Sequence, residues 1–244
     1  MHIRTSLVIA LGLVASTGGL LAGPPTEVLV ANLDAVSFTV TWCSATAEEG
    51  QVLFAASREE LQGRKGTFRI AEDDRGPGTR SRVHHVTLGP ARSANHQDGG
   101  EGSLSPDTEY FLEIVSGGQA HADQGGPYRV KTPSLLTPRM VAQDLVGTAG
   151  PAKGTAAATD CLVFATISSA GGESQLLSAV ASNGGQWDFP LGTIRGKSLD
   201  AYFDVAAGAR CNLRYTTAAE ATRESNFELQ PGPEVFTPPA SNSR

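Results

Sequence analysis

Hydrophobic and polar positions alternate along most of the chain, in short runs separated by Gly, Pro, Asn and Asp. The clearest run is "VSFTVTWCS". Val36, Phe38, Val40 and Trp42 fall on one face, and Ser37, Thr39, Thr41 and Cys43 on the other. Successive side chains of a strand point to opposite sides of its sheet, so the run predicts a half-buried strand, with Cys43 facing away from the core that Trp42 enters. The same period predicts strands at Glu27–Leu33, Gln51–Ala56, Gly66–Ala71, His84–Leu88, Glu109–Ser116 and Pro127–Thr132. "SREELQG" reads as one helical turn or a loop. "DDRGPGTRSR" and the glycine-rich, aperiodic residues 89–102 read as long surface loops.

"TPSLLTPR" (132–139) carries two prolines and no pattern, and it places a domain boundary with 134–139 as linker. Alternation then resumes at Met140–Val146, Cys161–Ile167, Gln175–Ala181, Gln186–Pro190, Leu199–Val205, Cys211–Thr216 and Asn226–Leu229. Asn183–Gly184 predicts a hairpin between "LLSAVAS" and "GQWDF", because a tight type I′ turn needs positive φ. In "LDAYFDV", Leu199, Ala201, Phe203 and Val205 are expected inward, with Asp200, Tyr202 and Asp204 outward; "CNLRY" sends Cys211, Leu213 and Tyr215 inward. The tail 231–244, "PGPEVFTPPASNSR", is expected to be a disordered or linking segment. The whole predicts an all-β protein of two tandem antiparallel β-sandwiches, immunoglobulin-like in kind.

The first half carries a family resemblance. Seven short strands, Trp42 on the second and "LSPDTEY" before the sixth resemble a fibronectin type III domain over residues 24–133. The resemblance implies a core Trp42 and a tyrosine corner spelled Leu104, Pro106, Thr108 and Tyr110, whose Tyr hydroxyl bonds back to nearby backbone. The 89–102 insertion and the long 73–82 stretch depart from the minimal family pattern. Residues 140–230, through "VGTA…CLVFATIS…NGGQWDFPLG", are similar to the transthyretin-like, carboxypeptidase-regulatory-like modules of bacterial surface proteins.

The opening residues bear on compartment. "MHIR" followed by "SLVIALGLVASTGGLLAG" reads as a secretory signal peptide over 1–22, cleaved after Ala22. "LLAGPP" resembles a lipoprotein box, yet Pro24 stands where the lipidated Cys would be. A secreted, extracellular or periplasmic protein is the expectation. Export permits a disulfide: Cys161 and Cys211 read either as a bridge or as two buried thiols, and Cys43 is left odd.

The 244 residues carry 18% charged and 6% aromatic residues, with 28 Gly and 14 Pro, a turn-rich composition suited to all-β proteins. A net charge of −6 with no basic stripe disfavours a nucleic-acid partner. No G-x-S-x-G, H-E-x-x-H or phosphate-binding glycine loop is present. No histidine follows His121, which leaves the second half without imidazole acid–base chemistry of its own. His84, His85, His96 and His121 with Asp123 could surround a metal only if adjacent strand residues shared a face, which the pleat forbids for His84 and His85. Asp73–Asp74 and Asp98 with Glu101 lie in loops where Ca²⁺ ligands would sit, but without the D-x-D-x-D-G spacing; no other cofactor is expected. Asp123 reads as a turn-former and Trp187 as a core residue. The expectation is an exported, non-catalytic structural or adhesive protein that binds a protein or glycan at the cell envelope. The alternative is an accessory module of an extracellular hydrolase. The candidate binding residues are Asp73, Asp74 and Arg75 in one loop and His96, Asp98 and Glu101 in the other.

Overall fold

A computed structural model of the chain describes residues 23–64, 66, 68–90, 102–138, 144–148, 160–181, 185–217, 223–229 and 234–236. The first sandwich is organised by one long strand, β2 (Phe38–Ala55). The first half of β2 pairs with β1 (Thr26–Ala31) and β4 (Arg80–Leu88). Its second half pairs with β3 (Arg69–Glu72) and β5 (Glu109–Ser116). The register slips between Cys43 and Glu48, a bulge at which the strand leaves one sheet for the other. Two separate strands were expected here. The polar link between them stays extended because Glu48 is buried and accepts from Ser116 Oγ, the same oxygen that accepts from Trp42 Nε1 at 3.3 Å.

The remaining strands, β6 (Gln119–His121) and β7 (Tyr128–Lys131), pair with β5. Phe38, Val40, Trp42, Val86 and Leu88 from one sheet meet Val52, Phe54, Leu112, Ile114 and Val130 from the other in a single apolar core. Trp42 is fully buried and stacks on His84, with ring centroids 4.6 Å apart. Gly50 makes room for that stack: a Cβ there would lie 2.3 Å from His84 Nδ1 and 2.6 Å from the Trp42 ring. "SREELQG" resolves as a short helix, α1 (Arg58–Gly63), capped by Ser57 and anchored by buried Leu61. The tyrosine corner forms as the resemblance implied. Leu104 and Tyr110 are buried, and the Tyr110 hydroxyl accepts from Ser105 N at 2.8 Å.

In the second sandwich, β9 (Cys161–Ser169) lies between β13 (Arg210–Thr217) and the pair β10 (Gly172–Glu173) and β11 (Leu177–Val180), with β14 (Arg223–Glu228) beyond β13. Against it packs a sheet of β12 (Gln186–Pro190), β8 (Asp144–Thr148) and β15 (Glu234–Phe236). Leu145, Trp187 and Phe189 face Val163, Ile167, Cys211 and Leu213 across the core. All sheet pairs are antiparallel except β15 with β8, which run parallel. The proline-rich tail is therefore not irregular throughout, since Glu234–Phe236 adds a strand edge.

Three sequence expectations fail in this half. Leu199–Val205 is not a strand. Leu199 takes φ 67°, only Tyr202 forms a bridge (to Arg195), and of the four side chains expected inward only Phe203 is fully buried. Alternation there reflects an irregular segment that tucks in one aromatic. The Asn183–Gly184 hairpin fails too. Residues 182–184 lie outside the described residues, but the flanking strands β11 and β12 pair in different sheets, with β9 and β8. The third is the bridge option for Cys161 and Cys211. Both are inward-facing as expected, but Cys211 pairs with Ile167 while Cys161 pairs with Thr217. Six positions of β9 therefore separate them, about 20 Å along the strand, whereas a disulfide needs Cα atoms within about 7 Å. Both are buried, and neither is in a disulfide.

Candidate functional site

The outer face of β2, expected to meet water, is covered. Ser37, Thr39 and Thr41 are all buried. What covers them is the outer face of the second sandwich. Leu162, Phe164, Leu176 and Val180 pack on Val83, Leu29 and Cys43. The thiol that was left odd is thus part of a second apolar layer between the sandwiches, and burial pushes it up to about 11. Arg214 lies over the Phe164 ring at 4.6 Å.

Three polar clusters surround this layer. The first is built on Asn32, which follows β1 with φ 52°, a conformation that Asn tolerates better than most residues. Its side-chain amide pairs with the backbone of Ser178 as a neighbouring strand would: Nδ2 donates to Ser178 O at 2.8 Å and Ser178 N donates to Oδ1 at 3.1 Å. Asn32 N donates to Leu176 O at 2.9 Å.

The second cluster is Arg195, 1% exposed. Its Nε donates to Asp34 Oδ1 at 3.0 Å, Nη1 to Leu199 O at 2.7 Å and Nη2 to Ser134 O at 2.9 Å. One guanidinium thereby ties the β1–β2 turn and the segment after β7 to the second sandwich. Arg serves here because its planar fork offers several donors at fixed angles.

The third cluster holds residues expected to bind a ligand. Asp73 is 3% exposed and paired with Arg75 Nε at 2.8 Å. Burial alone would raise its carboxyl. The Arg75 guanidinium and backbone N–H and the His84 ring outweigh that effect and hold it well below the usual carboxylate range. Arg75 Nη1 reaches on to Asp160 at 2.9 Å, and Asp160 also accepts from Ser81 Oγ. Asp74 accepts from Thr87 N at 2.9 Å and pairs with His85 Nδ1 at 2.7 Å; His85 Nε2 lies 3.0 Å from Ser178 Oγ. Asp73 and Arg75 thus face the second sandwich at the contact, with Asp74 at its exposed edge. His96, Asp98 and Glu101 lie outside the described residues.

Asp74, His85 and Ser178 have the connectivity of an acid–base relay to a nucleophile. The sequence conceals it, since the histidine and the serine stand in different halves, 93 positions apart. Ser178 and His85 are 4% and 6% exposed, and they stand on different sandwiches. Parting the sandwiches to admit a substrate would separate base from nucleophile. His84 faces the other way, into the core, and donates to or accepts from Ser44 Oγ at 2.8 Å. Among the described residues, no group of three or more His, Cys, Asp and Glu side chains is placed to hold a metal. Asp123 does shape its turn, accepting from Gln124 N at 2.8 Å. It stands at the mouth of a cleft of about 380 Å³ between β1 and β7, walled by Val28, Val30, Leu112, Ile114 and Tyr128. Among the described residues, no helix is long and apolar enough to cross a membrane.

No family model and no curated protein matches the chain. Solved structures do. The FN1-FN3 domains of chicken CNTN1 share 12% identity over 86% of this chain and 66% of that one, with a TM-score of 0.32. The chicken interferon gamma receptor alpha chain shares 9% over 85% of this chain and 98% of its own, with a TM-score of 0.20. A structure described as a myokine shares 20% over 45% of this chain and 96% of its own, with a TM-score of 0.27. The first two are fibronectin type III and immunoglobulin-like receptor domains. With every TM-score this low, the architecture rests on the strand pairing and cores described above.

Proposed function

We propose that the chain is an exported, non-catalytic binding protein of the bacterial cell envelope, whose two sandwiches act as one rigid body. The joint supports this reading most. A fully buried Arg195, a buried Asp73 paired with a part-buried Arg75 that reaches Asp160, and a shared apolar layer hold the sandwiches against each other. A flexible tether between independent modules would carry little of this, since inter-domain contacts are small and polar by default. Rigidity serves a protein that holds a binding surface at a set distance and angle. It suits turnover poorly, since the Asp74–His85–Ser178 relay is shut inside the contact.

The 89–102 insertion is the proposed binding segment, now that the other loop is committed to the joint. A protein partner suits the architecture better than a glycan, which would ask for exposed aromatic platforms; Trp187 is buried instead. The test pairs a pull-down from envelope fractions with a glycan array, wild type against a deletion of 89–102. Capture of one protein that the deletion loses is the expected result. Binding that survives the deletion, or a glycan hit, contradicts the proposal. Mass spectrometry of the exported chain should find a new terminus near Gly23; an intact Met1 would contradict export by signal cleavage.

A further inference from the structure

We propose that the free edge of β1, with the clefts along it, takes an extended apolar peptide of a partner protein as an added strand. The site is separate from the 89–102 segment. Among the described strands, β1 pairs with β2 alone, at the end of its sheet. Successive residues of an antiparallel strand turn their N–H and C=O alternately toward the partner and away from it. Asn32, which follows β1, turns away: its N–H donates to Leu176 O of the second sandwich at 2.9 Å. Val30 shares that phase, so its N–H and C=O point to the free edge. The contact between the sandwiches thus already uses this edge at Asn32. From there the edge runs on with no other described strand beside it.

Exposed edges are ordinarily guarded by charge, proline or a bulge. The start of β1 is guarded in this way. Its register with β2 shifts between Thr26 and Leu29, and Glu27 stands in that shift with φ 51°. Residues 28–31, "VLVA", carry no charge and no proline. Clefts flank this unguarded stretch. The one of about 380 Å³ toward β7 is walled by Val28, Val30 and Tyr128. A second, of about 340 Å³, opens between the sandwiches and is walled by Val30, Leu33, Leu176 and Leu199. Val30 borders both, so the two follow each other along the edge from Val28 to Leu33.

The chemistry of the walls points to the ligand class. Gln175 belongs to the wall of the second cleft and is 5% exposed, and both its Nε2 and its Oε1 lack a partner. A buried amide left unpaired is costly until something bonds to it. Val30 and Gln175 thus each offer a donor and an acceptor, set among aliphatic side chains. A peptide group matches such a pair one for one. The alternate side chains of an added strand, about 7 Å apart, would enter the clefts. A lipid chain would fill the clefts and leave the polar groups unpaired.

The experiment is nitrogen–proton NMR of the exported chain. The titrants are the soluble probe acetyl-Lys-Val-Thr-Val-Thr-Val-Lys amide, the same peptide methylated on every backbone nitrogen, and dodecylphosphocholine as a lipid probe. The unmethylated peptide is expected to shift the amides of Val28 and Val30 and the side-chain NH₂ of Gln175. It should also slow hydrogen exchange of the Val30 amide about tenfold. The methylated peptide keeps the side chains but loses the donors, and should bind about tenfold more weakly or worse. Gln175→Leu should weaken the unmethylated peptide about tenfold, the worth of one hydrogen-bonded pair. Peptide that leaves the β1 amides unmoved at millimolar concentration overturns the proposal. Methylated peptide that binds equally well, or dodecylphosphocholine that protects the Val30 amide as much, also overturns it, since either reads the clefts as apolar surface alone. Deleting 89–102 should leave the titration unchanged. Shifts that vanish with the deletion would move binding to that segment and overturn this site, whereas a failure at β1 leaves the 89–102 reading standing.

Discussion

Asp73 and Arg195 show how single residues set the contact. Asp73→Asn removes a buried anion between Arg75 and His84 and is expected to destabilise by about 2–3 kcal/mol at neutral pH, below the about 3–5 kcal/mol for removing a buried partner outright because Arg75 is part-exposed and the amide keeps an acceptor. The sign of its pH dependence follows from the carboxyl being held low in the fold. Its contribution is complete above the unfolded value of about 3.9 and is lost as pH falls through the folded one. Urea denaturation should therefore find a constant gap between wild type and variant from about pH 7 to about pH 5, closing below about pH 4. A gap that widens in acid would contradict the account. Arg195→Ala leaves Asp34, Ser134 O and Leu199 O without their donor, and should cost about 2–3 kcal/mol by the same measurement. Stability unchanged within about 0.5 kcal/mol would place Arg195 outside the joint. Neither role was legible in the sequence. "GTIRGKS" looks like any polar turn, and the partners of Arg195 in the first sandwich lie at residues 34 and 134, beyond any local pattern.

Strands and corners were legible where their causes are local. The run from Val36 to Cys43 alternates because one face packs in a core, and the corner is spelled within seven residues because Tyr110 bonds back only as far as Ser105. Leu199–Val205 misled for the complementary reason: alternation beside a neighbour that makes only one isolated bridge does not make a strand, and no pattern reports how far the pairing extends. One signal for the joint did lie in β2. Its outer face carries Ser37, Thr39, Thr41 and Cys43 with no charge at all, whereas a solvated sheet face ordinarily carries Lys or Glu. Register also decides the cysteines. Thiol titration of the unfolded, unreduced chain should find three reactive groups. In the folded protein they should react slowly, because burial raises Cys43 to about 11 and Cys161 to about 12. A Cys161–Cys211 cross-link in the oxidised protein would contradict the register of β9 with β13.

At the scale of the whole molecule, two all-β units of common construction meet across an apolar and polar contact, and the proposal is that this contact makes them one object. The faces that meet combine an apolar centre of Val83, Leu162 and Phe164 with a rim of Asn32, Arg75 and Arg195. That arrangement resembles a permanent interface more than a tether, with desolvated anchors in the middle and satisfied polar groups around them. The sequence supports two sandwiches in tandem, but their mutual arrangement follows from residues more than 140 positions apart in the chain, such as 32 and 178. Residual dipolar couplings at about pH 8 measure that arrangement most directly, since an alignment tensor reports the orientation and relative motion of each sandwich. A single tensor fitting the amides of both sandwiches, with equal magnitude, is the result expected of a rigid joint. Two tensors of different magnitude, as from modules turning independently, would contradict it.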